Sequence, residues 1–164
     1  QFNYDDGLSS DTWPKHLQML GLPERSIVME ITEGLLLEAN GTVIDHIRTL
    51  REAGFLISLD DFGTGYSSLT YLKKFDIDFL KIDQSFVRNL NRDSEDMALC
   101  EAIIVMAHKL GIKVVAEGIE TEEQRTLLLI AGCDYGQGYL FSRPVSAIEF
   151  EKHFRNHNTL SFQG

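Results

Sequence analysis

Two patterns of apolar positions alternate along the chain. Short runs of mostly apolar residues, typical of strands buried in a sheet, occupy residues 26–32, 57–59, 77–82, 113–116 and 135–141. Segments whose apolar residues recur every three or four positions, typical of amphipathic helices, precede the first run and follow each of the five. This strict alternation predicts an α/β fold in which helices cover a parallel sheet.

Capping residues mark the starts of two of these helices. Thr121 with Gln124, and Ser146 with Glu149, have the spacing of a capping box, in which each side chain binds the backbone N–H of the other residue. We therefore expect helices to begin directly after Thr121 and Ser146.

The composition is that of an ordinary soluble domain, and it limits the partners. The 164 residues are 43% hydrophobic and carry a net charge of −10, which disfavours nonspecific binding to DNA, RNA or an anionic membrane. A ligand that bears phosphate would therefore need local cations or metal ions. Cys100 and Cys133 lack the spacing of metal ligands and fit two buried thiols in a reducing cytosol.

The ends of the chain give expectations about location and domain organisation. No secretory pattern or long apolar segment is visible, so we expect a cytoplasmic protein, which a segment upstream of these residues could still anchor to a membrane. Residues 156–164 are polar enough to fray. We therefore expect one domain over residues 1–155, followed by a tail over residues 156–164.

Polar side chains interrupt or follow four successive strands. Glu30 lies within the first apolar run, Asp60 and Asp61 follow the second, Lys81 lies within the third, and Glu117 follows the fourth. Adjacent carboxylates repel each other unless a cation, a proton or solvent relieves them, and hard divalent ions prefer oxygen ligands. The carboxyl ends of the strands build the active site of a (β/α) barrel, and they bind ligands in an open doubly wound sheet too. The pattern predicts a metal site at these ends and leaves the architecture open.

Structural interpretations of the same residues remain. Glu30 could pair with a cation of the protein, and Lys81 could extend along its stem to solvent. Gln137 could satisfy backbone groups, Ser67 could cap a helix, and Glu33 could be an acid favoured at a helix start. Taken one at a time, these residues do not distinguish a site from such roles.

Five motifs closely resemble those of the EAL domain family. They are MEITE at residues 29–33, DDFGTGYSSL at 60–69, LKID at 80–83, AEGIET at 116–121 and GQGYLFSRP at 136–144. The resemblance runs from residue 1 to about residue 154. Members of this family are bacterial cyclic di-GMP phosphodiesterases, built as TIM-like (β/α) barrels that use Mg²⁺ or Mn²⁺. The resemblance implies a TIM-like barrel that is incomplete here, with about five βα units.

The resemblance also implies metal ligands. Glu30 resembles a ligand of the first metal, and Asp60 resembles the carboxylate that bridges both metals. Asp61 and Glu117 resemble ligands of the second metal. Glu117 has also been viewed in the family as the general base.

Further roles follow from the same motifs. Lys81 resembles the lysine that holds the attacking water, and Gln137 matches a position near the second metal and the substrate. The family's regulatory loop, which couples the metal site to dimerisation, corresponds to Glu33, Gly63, Thr64, Gly65 and Ser67.

The function implied is metal-dependent hydrolysis of cyclic di-GMP to linear pGpG in bacterial second-messenger signalling. The resemblance further implies a homodimer formed through the regulatory loop and a neighbouring helix, and an upstream sensory or GGDEF domain. The alternative is a noncatalytic EAL-like module that binds cyclic di-GMP or a protein partner. Degenerate members of the family usually lose the carboxylates or the lysine. Of these residues, all those whose motifs lie within this chain are present.

Two family motifs are missing from the chain. In the resembling proteins, the Glu-Ala-Leu signature and an asparagine motif lie just upstream of a segment like residues 1–2. Residues 101–103 (EAI) lie inside a predicted helix, and Asn3 comes too late to be the family asparagine. We therefore expect the C-terminal part of a phosphodiesterase domain, with weak or absent hydrolysis by these residues alone.

Overall fold

The computed structural model describes residues 12–37, 41–65, 72 and 75–156. The chain divides into two compact units, Gln1–Phe79 and Leu80–Gly164. None of the described helices is long and apolar enough to cross a membrane.

Strands and helices alternate as the sequence predicts. The first part of the chain forms helix α1 (Thr12–Leu20), strand β1 (Val28–Thr32), helix α2 (Glu33–Leu37), helix α3 (Gly41–Glu52) and strand β2 (Leu56–Phe62). The remainder forms strand β3 (Phe79–Ile82), helix α4 (Gln84–Arg88), helix α5 (Glu95–Lys109), strand β4 (Lys113–Ala116), helix α6 (Glu122–Ile130), strand β5 (Tyr135–Gly136) and helix α7 (Ala147–Asn156). The five strands follow one another in the sheet in chain order. The predicted α/β fold is confirmed, and the described residues form five of the eight strands that a complete (β/α) barrel requires.

In the first unit, β1 and β2 pair in parallel. Glu30 lies opposite Ser58, and Thr32 lies opposite Asp60. Ile57, Ser58 and Leu59 are all buried, as expected for a strand covered on both faces. Helix α3 is followed by Gly54, whose φ of +92° suits a glycine, and the N–H of Phe55 donates to the carbonyl of Leu50 to close the turn.

In the second unit, helix α5 packs on β4. Ser94 caps α5 by accepting the N–H of Met97, and the buried side chains of the helix recur on one face: Met97, Cys100, Ile103, Ile104 and Ala107. Both predicted capping boxes form. Thr121 and Gln124 bind reciprocally at the start of α6, and Ser146 and Glu149 do so at the start of α7.

The structure corrects several boundaries. Strand β1 starts at Val28 because residues 24–26 form a turn of 3-10 helix. Strand β5 has two residues instead of the predicted seven, because the N–H of Phe141 binds the carbonyl of Gly138 and turns the chain away. The short helix α4 was not predicted, and α2 was anticipated only as the helix start that Glu33 could mark. The helix expected near residue 69 lies outside the described residues, as does Ser67.

Candidate functional site

Asp60 and Asp61 lie at the C-terminal end of β2, where both are partly buried. Asp61 has a φ of +58°, a left-handed conformation that aspartate tolerates better than most residues. The N–H of Asp61 donates to Asp60 Oδ1 at 3.1 Å, and the carbonyl of Asp61 accepts the Thr64 hydroxyl at 2.9 Å. A local turn therefore fixes the backbone of the two adjacent carboxylates.

Glu30 is exposed in β1 and shares a sheet face with Asp60. The parallel register places Glu30 opposite Ser58, and Asp60 follows Ser58 by two residues, so the three side chains leave the same face. Ser58 is only 2% exposed, and its hydroxyl lacks a hydrogen-bond partner in the described part of the chain. This face of the β1–β2 pair is therefore polar although Ser58 is buried.

Glu33 contacts the loop after β2. Glu33 is 6% exposed, and its Oε2 accepts the N–H of Gly63 at 3.4 Å. A Cβ at Gly65 would lie 3.6 Å from the same oxygen. Glu33 is also the first residue of α2, so the interpretation as a helix-start acid holds as well.

Lys81 and Glu117 form the best-defined contact among the predicted site residues. Lys81 Nζ lies 2.7 Å from Glu117 Oε1, and the two side chains are 7% and 19% exposed. The backbone supports the contact, because the N–H of Glu117 donates to the carbonyl of Ile82 at 3.1 Å. Lys81 does not extend to solvent, so that structural alternative is wrong. A charge at this depth is costly unless it is paired, and the pair satisfies that condition.

Gln137 follows β5 and is exposed. Its backbone N–H donates to the carbonyl of Ala116 at 2.8 Å, and its own carbonyl accepts the N–H of Ile119 at 3.0 Å. The backbone of Gln137 is thereby fixed beside the loop that carries Glu117.

The donor chemistry of the predicted ligands fits a divalent cation. Glu30, Asp60, Asp61 and Glu117 offer only carboxylate oxygens, the ligand type that Mg²⁺ and Mn²⁺ take. The first three lie in the first unit and Glu117 lies in the second. Within the described ranges, no group of three His, Cys, Asp or Glu side chains is arranged so that it could hold a metal ion.

Three polar residues make long-range contacts with the backbone that the sequence did not predict. Gln124 was identified only as a capping residue, although it is buried and binds backbone groups outside its own helix. Asp78 and Asp134 were not singled out, yet each binds a backbone N–H of a strand. One signal was available for the aspartates, since each directly precedes an aromatic residue that begins a strand.

Comparison with known proteins places these features in one family. The model of the EAL domain matches residues 5–144. The cyclic di-GMP phosphodiesterase NbdA of Pseudomonas aeruginosa is 44% identical over 139 residues, which cover 85% of this chain and 18% of that protein. The phosphodiesterase RocR of the same organism is 39% identical over 133 residues, which cover 81% of this chain and 33% of that protein. The chain thus spans a third or less of each of these relatives.

Solved structures give the same result. The EAL domain of Mycobacterium smegmatis DcpA has a TM-score of 0.83 at 36% identity, covering 90% of this chain and 66% of that one. The PaMucR phosphodiesterase in complex with c-di-GMP has a TM-score of 0.81 at 38% identity, covering 89% and 64%. Klebsiella pneumoniae BlrP1, in a manganese and cy-diGMP complex, has a TM-score of 0.78 at 33% identity, covering 86% and 36%.

Proposed function

The chain belongs to the EAL domain family, and we propose that in the intact protein it carries out metal-dependent hydrolysis of cyclic di-GMP to linear pGpG. The observation that carries the proposal is the contact of the buried Lys81 in β3 with the partly buried Glu117 directly after β4. The names of the relatives and the dinucleotide complexes of the structural neighbours support the substrate.

Lys81 and Glu117 are the proposed catalytic residues. The carboxylate of Glu117 holds the ammonium group of Lys81 in one place, so that its remaining N–H groups are pre-oriented. An ammonium group so held orients a water and offsets negative charge that develops on phosphoryl oxygens. Glu117 is also close enough to accept a proton from a water beside Lys81.

The metal ligands are proposed to be Glu30, Asp60, Asp61 and Glu117, with Gln137 near the substrate. A divalent cation held by these residues would lower the pKa of a bound water and stabilise phosphoryl charge. The metal complexes of BlrP1 support a divalent ion, and Mg²⁺ or Mn²⁺ is the proposed choice. Such a cation would also allow a chain with a net charge of −10 to bind an anionic substrate.

The remaining parts of the proposal concern regulation and context. The contact of Glu33 with Gly63 supports the proposed regulatory loop, which also includes Thr64, Gly65 and Ser67 and which would link the site to a homodimer interface. An upstream sensory or GGDEF domain is proposed on the family resemblance. A cytoplasmic location is proposed because Cys100 and Cys133 are buried free thiols, which fit a reducing compartment.

The test is turnover of cyclic di-GMP by the full-length natural protein with Mg²⁺ and with Mn²⁺, followed by chromatography of pGpG. We expect Lys81→Ala and Glu117→Gln each to lower kcat by at least about 100-fold. Lys113→Ala and Glu122→Gln remove the same groups from exposed positions and serve as controls that keep the rate.

Two results would contradict the proposal. Equal rates for the two site variants and the unmodified protein would show that the roles are wrong. Binding of cyclic di-GMP without turnover by the unmodified protein, with either metal, would identify the noncatalytic module instead.

A further inference from the structure

The loop that carries Glu117, residues 117–121, is held along its backbone. We call it the Glu117 loop. Its N–H groups at Glu117 and Ile119 donate to the carbonyls of Ile82 and Gln137. Its N–H groups at Glu120 and Thr121 both donate to Oε1 of Gln124, at 2.8 and 3.0 Å respectively.

Gln124 also binds on its other side. Its Nε2 donates to the carbonyl of Val87 at 3.0 Å and to that of Arg88 at 3.3 Å. These carbonyls lie at the C-terminal end of α4, the helix that directly follows the strand of Lys81. Gln124 is 7% exposed, so water does not compete freely for these bonds.

The chemistry of the position calls for an amide of this length. The carboxamide oxygen accepts two backbone N–H groups and its nitrogen donates to two backbone carbonyls, so these four bonds fix its orientation. A carboxylate would keep the acceptor and lose the donors. An apolar side chain of the same size would remove the acceptor of the Glu120 and Thr121 N–H groups, and a backbone N–H that loses its acceptor is costly.

Close packing leaves the Glu117 loop little freedom to adjust. Gly118 has a φ of +69°, and a Cβ there would lie 2.6 Å from the Cβ of Gln84. A Cβ at Gly138 would lie 2.1 Å from the carbonyl oxygen of Ile119. Small residues therefore let α4 and the segment after β5 approach the loop, and Gln124 ties the loop to the end of α4.

We propose that Gln124 is a positioning residue: it fixes the Glu117 loop against α4 so that the Glu117 carboxylate stays in contact with Lys81. The catalytic part of this inference rests on the proposed function of that pair. A capping box alone needs only the bond to Thr121, whereas the bonds to Glu120, Val87 and Arg88 join the loop to a different helix.

The first test does not depend on activity. In the full-length natural protein, Gln124→Met should speed hydrogen exchange of the Glu120 and Thr121 amides by at least about 10-fold, since both lose their acceptor. It should also weaken the ¹⁵N signal of the Lys81 ammonium group, which depends on the ion pair. Gln124→Glu keeps the acceptor and should retain the protection of the two amides. Unchanged exchange and an unchanged Lys81 signal in Gln124→Met would overturn the proposal.

The second test separates positioning from loss of stability. Gln124→Met should lower kcat by about 10- to 100-fold with little change in KM, since the geometry of bound reactants is lost and not their binding. Gln124→Glu should recover part of the rate. Leu128→Val, at a buried position of the same helix, and Glu149→Met, in the capping box of α7, should lower thermal stability and leave kcat unchanged.

The outcomes distinguish this inference from the proposed function. Equal losses of kcat in Gln124→Met and Leu128→Val would overturn the positioning role. An inactive unmodified protein would overturn the proposed function. Hydrogen exchange of the Glu120 and Thr121 amides and the ¹⁵N signal of Lys81 would still decide whether Gln124 keeps Glu117 in contact with Lys81.

Discussion

Asp78 and Asp134 occupy equivalent places in the two units, and each anchors the start of a strand. Asp78 directly precedes β3 and accepts the N–H of Ile57 in β2 at 2.8 Å. Asp134 directly precedes β5 and accepts the N–H of Val114 in β4 at 2.9 Å. Each aspartate also contacts a basic side chain from the helix before the strand that it anchors. The same local solution thus occurs twice in the chain.

The two anchors differ in the basic side chains that contact the aspartate. Asp78 pairs with Arg51, which also binds Asp76 at 3.0 Å. Burial lowers the pKa of Arg51, but its hydrogen bonds to the two aspartates raise it more, so the net pKa is raised. Asp134 pairs with His108 at 2.8 Å and with the exposed Lys113 at 2.6 Å.

Both anchors supply a carboxylate acceptor to a buried backbone N–H. Ile57 and Val114 are both buried, so their N–H groups cannot rely on water and need an acceptor. The carboxylate is the part that both anchors share, whereas the cation is an arginine in one and a histidine with a lysine in the other. We therefore expect the acceptor to contribute more to stability than the cation.

The largest effect is expected at Asp78. Asp78→Ala removes the acceptor of the Ile57 N–H and one partner of Arg51, which should cost about 2–4 kcal/mol in the free energy of unfolding, measured by urea denaturation. Asp78→Asn keeps an acceptor and should cost less. Equal losses in the two variants would show that the charge and not the acceptor stabilises the strand.

A smaller and pH-dependent effect is expected at Asp134. Burial raises the pKa of this carboxyl, but hydrogen bonds from Lys113, the Val114 N–H and His108 lower it more, so its net pKa is lowered. A lowered folded pKa gives stability that is fully present above the unfolded value of about 3.9 and is lost as the pH falls through the folded value. Asp134→Asn should therefore cost about 1–2 kcal/mol at neutral pH and little in acid.

Thermal unfolding of Asp134→Asn and the unmodified protein across the acid range measures this difference. The two curves should converge as the pH falls below about 4. Parallel curves would mean that the charge of Asp134 does not stabilise the fold.

The smallest effect is expected at an exposed ion pair whose carboxylate does not accept a backbone N–H of a strand. Arg48 and Asp45 form an exposed ion pair at 3.3 Å, with side chains 64% and 71% exposed. Arg48→Ala should change the free energy of unfolding by no more than about 0.5 kcal/mol. A loss as large as that of Asp78→Ala in the same urea experiment would refute the claim that the backbone acceptor makes the difference.

Most of the fold could be predicted because its signals are local. The spacing of apolar residues identified all five strands, and the capping boxes at Thr121 and Ser146 located two helix starts. Strand β5 was overestimated because its end depends on a turn at Gly138, where the packing against Ile119 comes from a distant part of the sequence. The short helices α2 and α4 lie below the length at which periodicity is informative.

The candidate site divides in the same way. The resemblance named Lys81 and Glu117 separately, and their contact at 2.7 Å emerged only with the fold. The long-range contacts of Gln124, Asp78 and Asp134 were not predicted because the partners lie 37, 21 and 20 residues away, beyond the reach of any local pattern.

The amino-acid sequence by itself determined the order of strands and helices, the family, and the kinds of side chain at the strand ends, because periodicity and motifs are properties of neighbouring residues. Only the tertiary structure decided that Lys81 is buried against a carboxylate, that one glutamine joins the Glu117 loop to α4, and that two aspartates anchor two strands. The physical reason is that a buried polar group must find its partner in space, and the chain brings that partner from wherever folding places it.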